Sequence, residues 1–237
     1  MNPVIGGPLY AVVPAAGIGE RMGAGFPKQY LSLAGKTLAE HTLNRLLSFA
    51  PIDRVLVAVS AQDPWWPTLG VSSHPRIATV TGGAARAESV RNGVSQALAL
   101  GGESAWVLVH DMARPLVRLS DIQNLLDQTD RQGAILALPV VDTIKQADDS
   151  NPISATLNRD CIWRALTPQL FPARPLLDAL QGDLTGITDE ASAMERAGCS
   201  PALVAGHGDN IKITVPEDLA LARYYLGRQL GDEENML

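Results

Sequence analysis

Residues 11–29 read AVVPAAGIGERMGAGFPKQ, an apolar run that ends at Pro14 and continues into a loop with four glycines. A short apolar run followed by a glycine loop is typical of the first strand of an α/β protein. Glycines let the backbone approach a ligand closely, and successive backbone N–H groups in such a loop can surround an anion. Arg21 and Lys28 add two positive charges to this stretch. The stretch therefore predicts a site for a phosphorylated ligand.

Apolar runs alternate with helical patterns along most of the chain. We predict strands at residues 10–13, 55–59, 106–109 and 134–138, where β-rich apolar residues cluster. A helix is predicted at residues 87–100, and capping boxes at residues 37–40, 120–123 and 214–217 predict three further helix starts. This alternation predicts an α/β fold with a mostly parallel sheet.

The segment at about 139–160 breaks this alternation, because it has no helical period. We predict a hairpin arm with limbs at residues 140–145 and 153–157, joined by a polar turn around residues 148–152. A two-stranded hairpin is weakly stable alone, so a second subunit is one candidate for what it packs against. No repeat, linker or composition shift divides the 237 residues, which predicts one domain over residues 1–237 with a protruding arm.

The composition excludes several classes of protein. The net charge is −6, from 19 basic and 25 acidic residues, which argues against a nucleic-acid binder held by general positive charge. Apolar residues make up 46% of the chain, enough to bury a core, so the chain is not disordered. Cys161 and Cys199 form no disulfide framework and indicate a cytoplasmic protein. Residues 1–19 are uncharged but contain three prolines, and predict neither a membrane span nor a signal peptide.

Two familiar phosphate-binding motifs do not fit the glycine loop. A P-loop requires a glycine five positions before Gly35, in the only Gly-Lys-Thr run, but Tyr30 stands there. A dinucleotide fingerprint requires a third glycine where Met22 stands, and Ser60 follows the next strand instead of an acidic residue. Two readings of the loop stay open on the residues alone. It is either a glycine loop with two surface cations or a loop that binds a nucleoside triphosphate.

Six blocks, in order, resemble the 2-C-methyl-D-erythritol 4-phosphate cytidylyltransferase family. Together they extend over nearly the whole chain, so the resemblance does not depend on the glycine loop alone. The blocks are PAAGIGERM (14–22) with PKQYL (27–31), GGxxRxxSV (82–90), VHDxARP (109–115), ALTPQ (165–169), TDEAS (188–192) and DNIKIT (209–214).

This resemblance implies a three-layer Rossmann-like nucleotidyltransferase fold and a Mg²⁺-dependent reaction. CMP would pass from CTP to 2-C-methyl-D-erythritol 4-phosphate, giving 4-diphosphocytidyl-2-C-methyl-D-erythritol and pyrophosphate in isoprenoid precursor biosynthesis. It also implies a homodimer with shared active sites, and neither nucleic-acid nor membrane partners. Because the attacking phosphate is already ionised, no strong general base is required. Catalysis would be mostly positioning and stabilisation by cations.

The resemblance also implies roles for particular residues. Arg21 and Lys28 would be catalytic. Nucleotide contacts would come from Ala15, Ala16, Gly17, Gly19, Gly83, Arg86 and Ser89, and substrate contacts from Asp111, Thr143, Arg159, Thr167, Thr188 and Lys212. Thr143 and Arg159 would reach the neighbouring subunit's site from the arm. Asp111 and, more weakly, Asp209 are the candidate metal ligands.

Several of these residues also fit ordinary structural roles. Asp111 could cap a turn, Thr188 could cap a helix, and Thr143 and Arg159 could be solvated arm residues. We expect Lys212 to lie in an apolar strand, where its charge would need an anionic partner, and Arg114 to support the loop after the third predicted strand.

Two positions depart from the family pattern and leave alternatives open. Ala84 stands where the family often has aspartate, and Met112 stands where it usually has alanine. The larger Met112 side chain makes a related enzyme acting on another polyol phosphate, such as ribitol 5-phosphate, the nearest alternative. A nicotinamide-dependent oxidoreductase and a catalytically silent CTP-binding regulator are the alternatives from other classes.

Overall fold

The computed structural model of the chain describes residues 5–17, 26–148 and 151–234, with side chains in the last helix as far as Gly231. The strands in these ranges are β1 (Leu9–Pro14), β2 (Ser32–Leu33), β3 (Lys36–Thr37), β4 (Ile52–Val59), β5 (Ile77–Thr81), β6 (Trp106–Val109), β7 (Ala134–Pro139), β8 (Ile144–Ala147), β9 (Ile153–Leu157), β10 (Trp163–Pro172) and β11 (Ala202–Ala205). The helices are α1 (Leu38–Ser48), α2 (Arg86–Gly101), α3 (Leu119–Gln128), α4 (Ala173–Ala179), α5 (Glu190–Arg196) and α6 (Glu217–Glu234).

Seven strands form a central sheet in the order β11-β7-β10-β6-β1-β4-β5. All neighbouring pairs are parallel except those of β10, which runs antiparallel to both β6 and β7. The four predicted strands are β1, β4, β6 and β7, so the expected mostly parallel sheet is confirmed. The antiparallel insertion of β10 was not predicted.

The two faces of the sheet bury different sets of helices. In β1, Leu9, Ala11 and Val13 face a cluster shared with α1 and α3, while Tyr10 and Val12 face a cluster shared with α2, α4 and α5. All five side chains are buried, because both faces of a parallel sheet are covered in such a fold. This arrangement confirms the expected three layers.

The order of strand connection reverses at β1. From β1 the chain moves outward to β4 and β5, then returns through α2 to β6 on the opposite side of β1. Ligands of open α/β sheets bind at such a reversal, beyond the carboxyl ends of the strands. The segments that leave β1, β5 and β6 at this edge are residues 15–17, 82–85 and 110–115.

Only one of the three predicted capping boxes is present. Thr37 caps α1, accepting the Glu40 N–H while the Glu40 carboxylate accepts the Thr37 N–H. The box at residues 120–123 is wrong, because α3 already begins at Leu119, which buries the Asp121 carboxylate against His207. The box at residues 214–217 is also wrong, because α6 begins only at Glu217.

The predicted hairpin arm is present, with a shorter first limb than expected. β8 begins at Ile144 instead of residue 140 and pairs antiparallel with β9. Within the described residues, these two strands pair only with each other. Val141 and Ile153 are mostly exposed, and Leu157 and Trp163 are partly so. A two-stranded hairpin with several exposed apolar side chains is only weakly supported by its own chain.

Two further expectations concern membrane-spanning helices and the two cysteines. Among the helices that the structure describes, none has the length and apolar character needed to cross a bilayer. Cys161 and Cys199 are both free.

Candidate active site

A cleft of about 300 Å³ opens at the carboxyl ends of β1, β5 and β6, where the strand order reverses. Residues from five separate parts of the sequence line it. The predicted site residues among them are Ala15, Ala16, Gly17, Lys28, Gly83, Arg86, Ser89, Asp111 and Lys212.

A buried glutamine holds the start of the glycine loop. Gln29 Nε2 donates to the carbonyl oxygens of Ala15 at 2.9 Å and Gly17 at 3.3 Å. These bonds orient the backbone where the chain leaves β1. Gln29 belongs to the Pro-Lys-Gln block, but its position in the sequence alone does not indicate this role.

The second glycine turn approaches this loop closely. A Cβ atom at Gly82 would lie 2.3 Å from the Cβ of Ala16, so a side chain at residue 82 would force the two loops apart. Gly83 N–H donates to Ser89 Oγ at 3.0 Å, which ties the turn to the first part of α2. This part of the cleft wall is therefore formed by backbone, and these contacts fix its position.

Asp111 is the centre of a charged network. Arg86 Nε lies 3.0 Å from its Oδ1, Lys212 Nζ lies 2.8 Å from its Oδ2, and Arg114 Nε lies 3.8 Å from Oδ2. Burial would raise the pKa of Asp111, but the charges of Arg86 and Lys212 hold it well below its usual range. Asp111 is therefore a carboxylate under all ordinary conditions.

Glu190, which was not among the predicted site residues, supports this network through its contact with Arg86. It begins α5, is almost fully buried, and accepts both Arg86 Nη1 at 2.6 Å and Nη2 at 3.1 Å. Three cations therefore face two carboxylates, which leaves one net positive charge beside the cleft. The Thr-Asp-Glu-Ala-Ser block contained Glu190, but its spacing gave no sign that it meets Arg86, 104 residues away.

A chain of hydrogen bonds orients the backbone of Asp111. His110 Nε2 lies 2.9 Å from the Arg114 carbonyl oxygen and donates to it, so Nδ1 accepts from the Thr167 hydroxyl at 3.1 Å. Thr167 Oγ1 in turn accepts the Asp111 N–H at 3.0 Å. Burial lowers the pKa of His110 to about 4, so the neutral ring that this chain requires is the stable form.

A second lobe of about 210 Å³ lies on the far side of the network and shares Arg86, Asp111 and Lys212 with the first. Thr167 and Thr188, two predicted substrate residues, line this lobe. Thr188 is not a helix cap, because Asp189 accepts the Ser192 N–H and caps α5 instead. The Arg86–Asp111–Lys212 bridge therefore separates two spaces, each lined by predicted site residues.

Lys212 and Arg114 lie in loops that support the cleft. Lys212 does not lie in a strand, since residues 211–214 form none, although its predicted anionic partner is present as Asp111. The segment is held by tertiary contacts instead, and Ile213 N–H donates to the Ala113 carbonyl oxygen at 2.9 Å. Arg114 Nη1 donates to the Asn210 carbonyl oxygen at 2.8 Å, in keeping with its predicted supporting role.

Other predicted residues lie elsewhere. The Asp209 carboxylate accepts from Arg118 at 2.6 Å, and among the described residues Asp209 lines neither lobe. Thr143 and Arg159 are exposed on and beside the arm, where Arg159 donates to the Val141 carbonyl oxygen. Arg21 and Gly19 lie outside the described residues.

The donor set near the cleft limits how a metal ion could bind. Within the described residues, no three His, Cys, Asp or Glu side chains come together to form a metal cage. Asp111 offers one carboxylate at the junction of the two lobes. Mg²⁺ often binds through one or two carboxylates and the phosphates of its substrate. The residues present therefore fit a magnesium ion that arrives with a triphosphate.

The fold and site define a class. A mostly parallel sheet with a cationic cleft at the strand reversal, and a glycine-rich sequence after its first strand, is typical of proteins that bind the phosphates of a nucleotide.

Comparisons with known proteins identify the family within this class. The family model of 2-C-methyl-D-erythritol 4-phosphate cytidylyltransferase matches residues 9–228. The enzyme of that name from Haemophilus influenzae strain PittGG is 53% identical over 223 residues, covering 93% of this chain and 97% of the relative. The one from Photobacterium profundum is 52% identical over 227 residues, covering 92% and 96%. The chain therefore belongs to this family of the non-mevalonate isoprenoid pathway, as the resemblance implied.

Solved structures agree with this assignment. A crystal structure of 4-diphosphocytidyl-2C-methyl-D-erythritol synthase superposes with a TM-score of 0.81 at 38% identity, covering 93% of this chain and 98% of the other. The Francisella tularensis 2-C-methyl-D-erythritol 4-phosphate cytidylyltransferase gives 0.79 at 35% identity, covering 92% and 99%. The nicotinamide-dependent oxidoreductase alternative is therefore wrong.

Proposed function

We propose that the two lobes of the cleft hold the two substrates of CMP transfer, CTP in the 300 Å³ lobe and 2-C-methyl-D-erythritol 4-phosphate in the 210 Å³ lobe. The observation that carries this proposal is the Arg86–Asp111–Lys212 bridge, which borders both lobes. The described residues that line the two lobes include four cations and two carboxylates. The attacking phosphate and the α-phosphate of CTP meet beside these cations.

The chemistry that this arrangement performs is electrostatic. Two anions must approach each other, and negative charge accumulates on the α-phosphate and on the leaving pyrophosphate. Lys28 and Lys212 donate to these oxygens. Arg21, outside the described residues, keeps the catalytic role that the resemblance implies. Cations fixed in advance by salt bridges stabilise such charge without having to reorganise during the reaction.

Asp111 and the loop backbones position the substrates. Asp111 holds Lys212 and Arg86 apart at a fixed distance and is the residue that would hold Mg²⁺. When bound, the magnesium ion neutralises phosphate charge. Gly83 and Ala15 present backbone groups to the base and ribose, and Thr167 and Thr188 donate hydroxyl hydrogen bonds in the second lobe.

A second subunit completes the site in this proposal. Thr143 and Arg159 lie with the exposed apolar residues of the hairpin arm, and among the described residues they line neither lobe of their own chain's cleft. Packing of the arm on a second copy would bury its apolar residues and bring both side chains to the partner's substrate lobe. The functional unit is then a homodimer with two composite sites.

Pyrophosphate release tests the reaction and the substrates. CTP, UTP and ATP are each combined with 2-C-methyl-D-erythritol 4-phosphate or ribitol 5-phosphate, in the presence of Mg²⁺. We expect release only with CTP and the methylerythritol phosphate. Release with CTP and ribitol phosphate would assign another polyol substrate. Met112 lines the lobe proposed for CTP, so that result would not by itself implicate Met112 in the choice of polyol. CTP binding without release from any pair would indicate a silent regulator.

Lys28→Ala tests the proposed electrostatic mechanism. Loss of one phosphate-binding cation is expected to reduce kcat by about 10²–10³-fold, the size of effect seen for other lost transition-state donors. Lys36→Ala is the matched control, because Lys36 is exposed and does not line the cleft. Near-normal turnover in Lys28→Ala, with an unchanged melting temperature in both variants, would remove Lys28 from the mechanism.

A further inference from the structure

Asp218, near the start of α6, accepts three hydrogen bonds on a single carboxylate oxygen. Its Oδ2 lies 2.7 Å from Thr214 N, 3.0 Å from Thr214 Oγ1 and 3.0 Å from Val215 N. An aspartate that accepts several backbone N–H groups fixes the path of the chain entering a helix. Asp218 therefore holds the segment that immediately follows Lys212.

This segment contacts both lysines of the cleft. Lys28 Nζ donates to the Ile213 carbonyl oxygen at 3.0 Å, across 185 residues of sequence. Lys212 itself reaches Asp111 at 2.8 Å. The Ile213 side chain is fully buried with Leu33 and Leu116, so the carbonyl between the two lysines has a fixed position once the segment is in place.

Charge links Asp218 to Lys28 as well. Partial burial would raise the pKa of Asp218, but the hydrogen bonds from Thr214 and Val215 and the positive charge of Lys28 lower it. The carboxylate is therefore ionised at neutral pH and close enough to Lys28 for the two charges to interact. Hydrogen bonds and charge therefore both couple the start of α6 to Lys28 in the cleft.

We propose that Asp218 is a positioning residue for CMP transfer, whose carboxylate fixes residues 212–215 so that Lys28 and Lys212 keep their aim into the cleft. The inference rests on the proposed roles of those two lysines. Asp218 lines neither lobe within the described chain, so it acts through the lysines and does not touch substrate. A misplacement of about 1 Å in a charged group costs about 10²-fold in rate, which gives such a brace a measurable effect.

A purely structural role makes a different prediction. If Asp218 only stabilises the beginning of α6, its removal lowers the melting temperature and reduces activity by the same factor whether or not the lysines are present. If it acts through the lysines, its removal has a smaller effect once one lysine is gone, because only the other lysine remains to be misplaced. A double-mutant cycle separates the two cases.

The experiment compares kcat/KM for pyrophosphate release in Asp218→Ala, Asp218→Asn and the control Glu217→Ala. Glu217 is the exposed neighbour of Asp218 in the same helix turn. We expect about a 10- to 50-fold loss in Asp218→Ala, a smaller loss in Asp218→Asn, and no change in the control. The Asp218→Asn variant keeps an oxygen acceptor for the segment but loses the charge that faces Lys28.

The same substitutions are then made in the Lys28→Ala and Lys212→Ala backgrounds. We expect Asp218→Ala to cost clearly less in each background than in the wild type, about 3- to 10-fold, because only one positioned lysine remains in each. Additive losses in both backgrounds would overturn the inference. If Asp218→Ala fails to fold, Asp218→Asn completes the cycle. Normal turnover of Lys28→Ala alone would instead contradict the proposed role of Lys28, so the two failures are distinguishable.

Discussion

At the scale of single residues, the site depends on buried charges that have been paired before substrate binds. Glu190 contributes no surface to the solvent, yet its two oxygens hold the guanidinium of Arg86 against Asp111. A bidentate pair of this kind fixes the plane of the guanidinium as well as its position. The guanidinium of Arg86 is consequently fixed in one orientation before any ligand binds.

Glu190→Gln is expected to loosen this arrangement. The variant leaves Arg86, whose side chain is 30% exposed, without one of its two anionic partners, and contact with solvent limits the expected cost to about 1–3 kcal/mol. Chemical unfolding measures that loss, and we also expect a higher KM for CTP. Glu195→Gln is the control, because Glu195 is exposed on the same helix. Equal stability of the two variants would show that the Arg86–Glu190 pair is not a stabilising contact.

His110 makes stability depend on pH. Burial lowers its pKa from 6.5 to about 4, so below pH 6.5 the unfolded chain binds a proton that the folded chain excludes. The free energy of unfolding should fall as the pH is lowered from 6.5 towards 4, by about 3 kcal/mol in total.

His110→Gln should remove this part of the pH dependence. Urea unfolding at several pH values between 4.5 and 7 measures it, above the range in which most carboxylates titrate. His74→Gln is the control, because His74 lies in a surface loop and makes a local hydrogen bond to the Arg76 N–H. A pH dependence that persists unchanged in His110→Gln would contradict the assignment.

At the scale of elements, the contact of α2 with β1 sets how closely this helix packs on the central sheet. A Cβ atom at Gly93 would lie 2.4 Å from Val12 Cγ1, so the helix rests on the strand at a distance that only glycine permits. Gly227 in α6 has no atom within 4 Å of the same position. Gly93 therefore leaves no room for a side chain, whereas a methyl group at Gly227 would meet no neighbour.

The same substitution should have opposite effects at these two positions. Gly93→Ala is expected to destabilise by about 1–3 kcal/mol through overpacking. Gly227→Ala is expected to stabilise by up to about 1 kcal/mol, because alanine favours helix over glycine. Thermal unfolding of both variants measures the difference. A stabilised Gly93→Ala would mean that α2 shifts away from β1 without cost.

Helix ends show how far local pattern predicts an element. The box at Thr37 forms as predicted, because both of its partners lie within four residues and no other contact competes. At Ser120 a similar pattern does not form a cap, because α3 starts one residue earlier in the chain, at Leu119, and the Asp121 carboxylate accepts the His207 N–H. Local chemistry decides a helix start only where tertiary contacts do not pull on the same residues.

At the scale of the whole molecule, the composite site proposed for the homodimer has a direct test. Lys28→Ala and Arg159→Ala should each be inactive, but a mixed dimer would contain one intact cleft facing one intact arm. Equal mixing with full subunit exchange should restore about a quarter of wild-type activity, since half of the dimers are mixed and each has one good site. Pyrophosphate release after refolding of the mixture measures the recovery.

Lys28→Ala mixed with Lys212→Ala is the control for this experiment. Both lysines line the cleft of a single chain, so every site in the mixed dimer carries one defect and no activity should return. If the Lys28→Ala and Arg159→Ala mixture also remains inactive although exchange is demonstrated, the arm does not serve the partner's site.

The sequence alone determined the α/β class, four core strands, the glycine loop and the family. Each depends on residues close together in the chain, through hydrophobic period, backbone freedom or an ordered block of letters. Most of the predicted site residues could be identified this way from their position in the chain. The contacts that their side chains make could not be predicted. Arg21 and Gly19 lie outside the described residues, so their predicted roles stay predictions.

Only the tertiary structure decided how these parts meet. The insertion of β10 between β6 and β7, the pairing of Arg86 with Glu190 and the contact of Lys28 with Ile213 all join distant segments. No local pattern encodes them, because a buried charge takes whichever partner the packed sheet places within reach. The reaction class could therefore be inferred from the order of the residues, while the electrostatic design of the cleft required their arrangement in space.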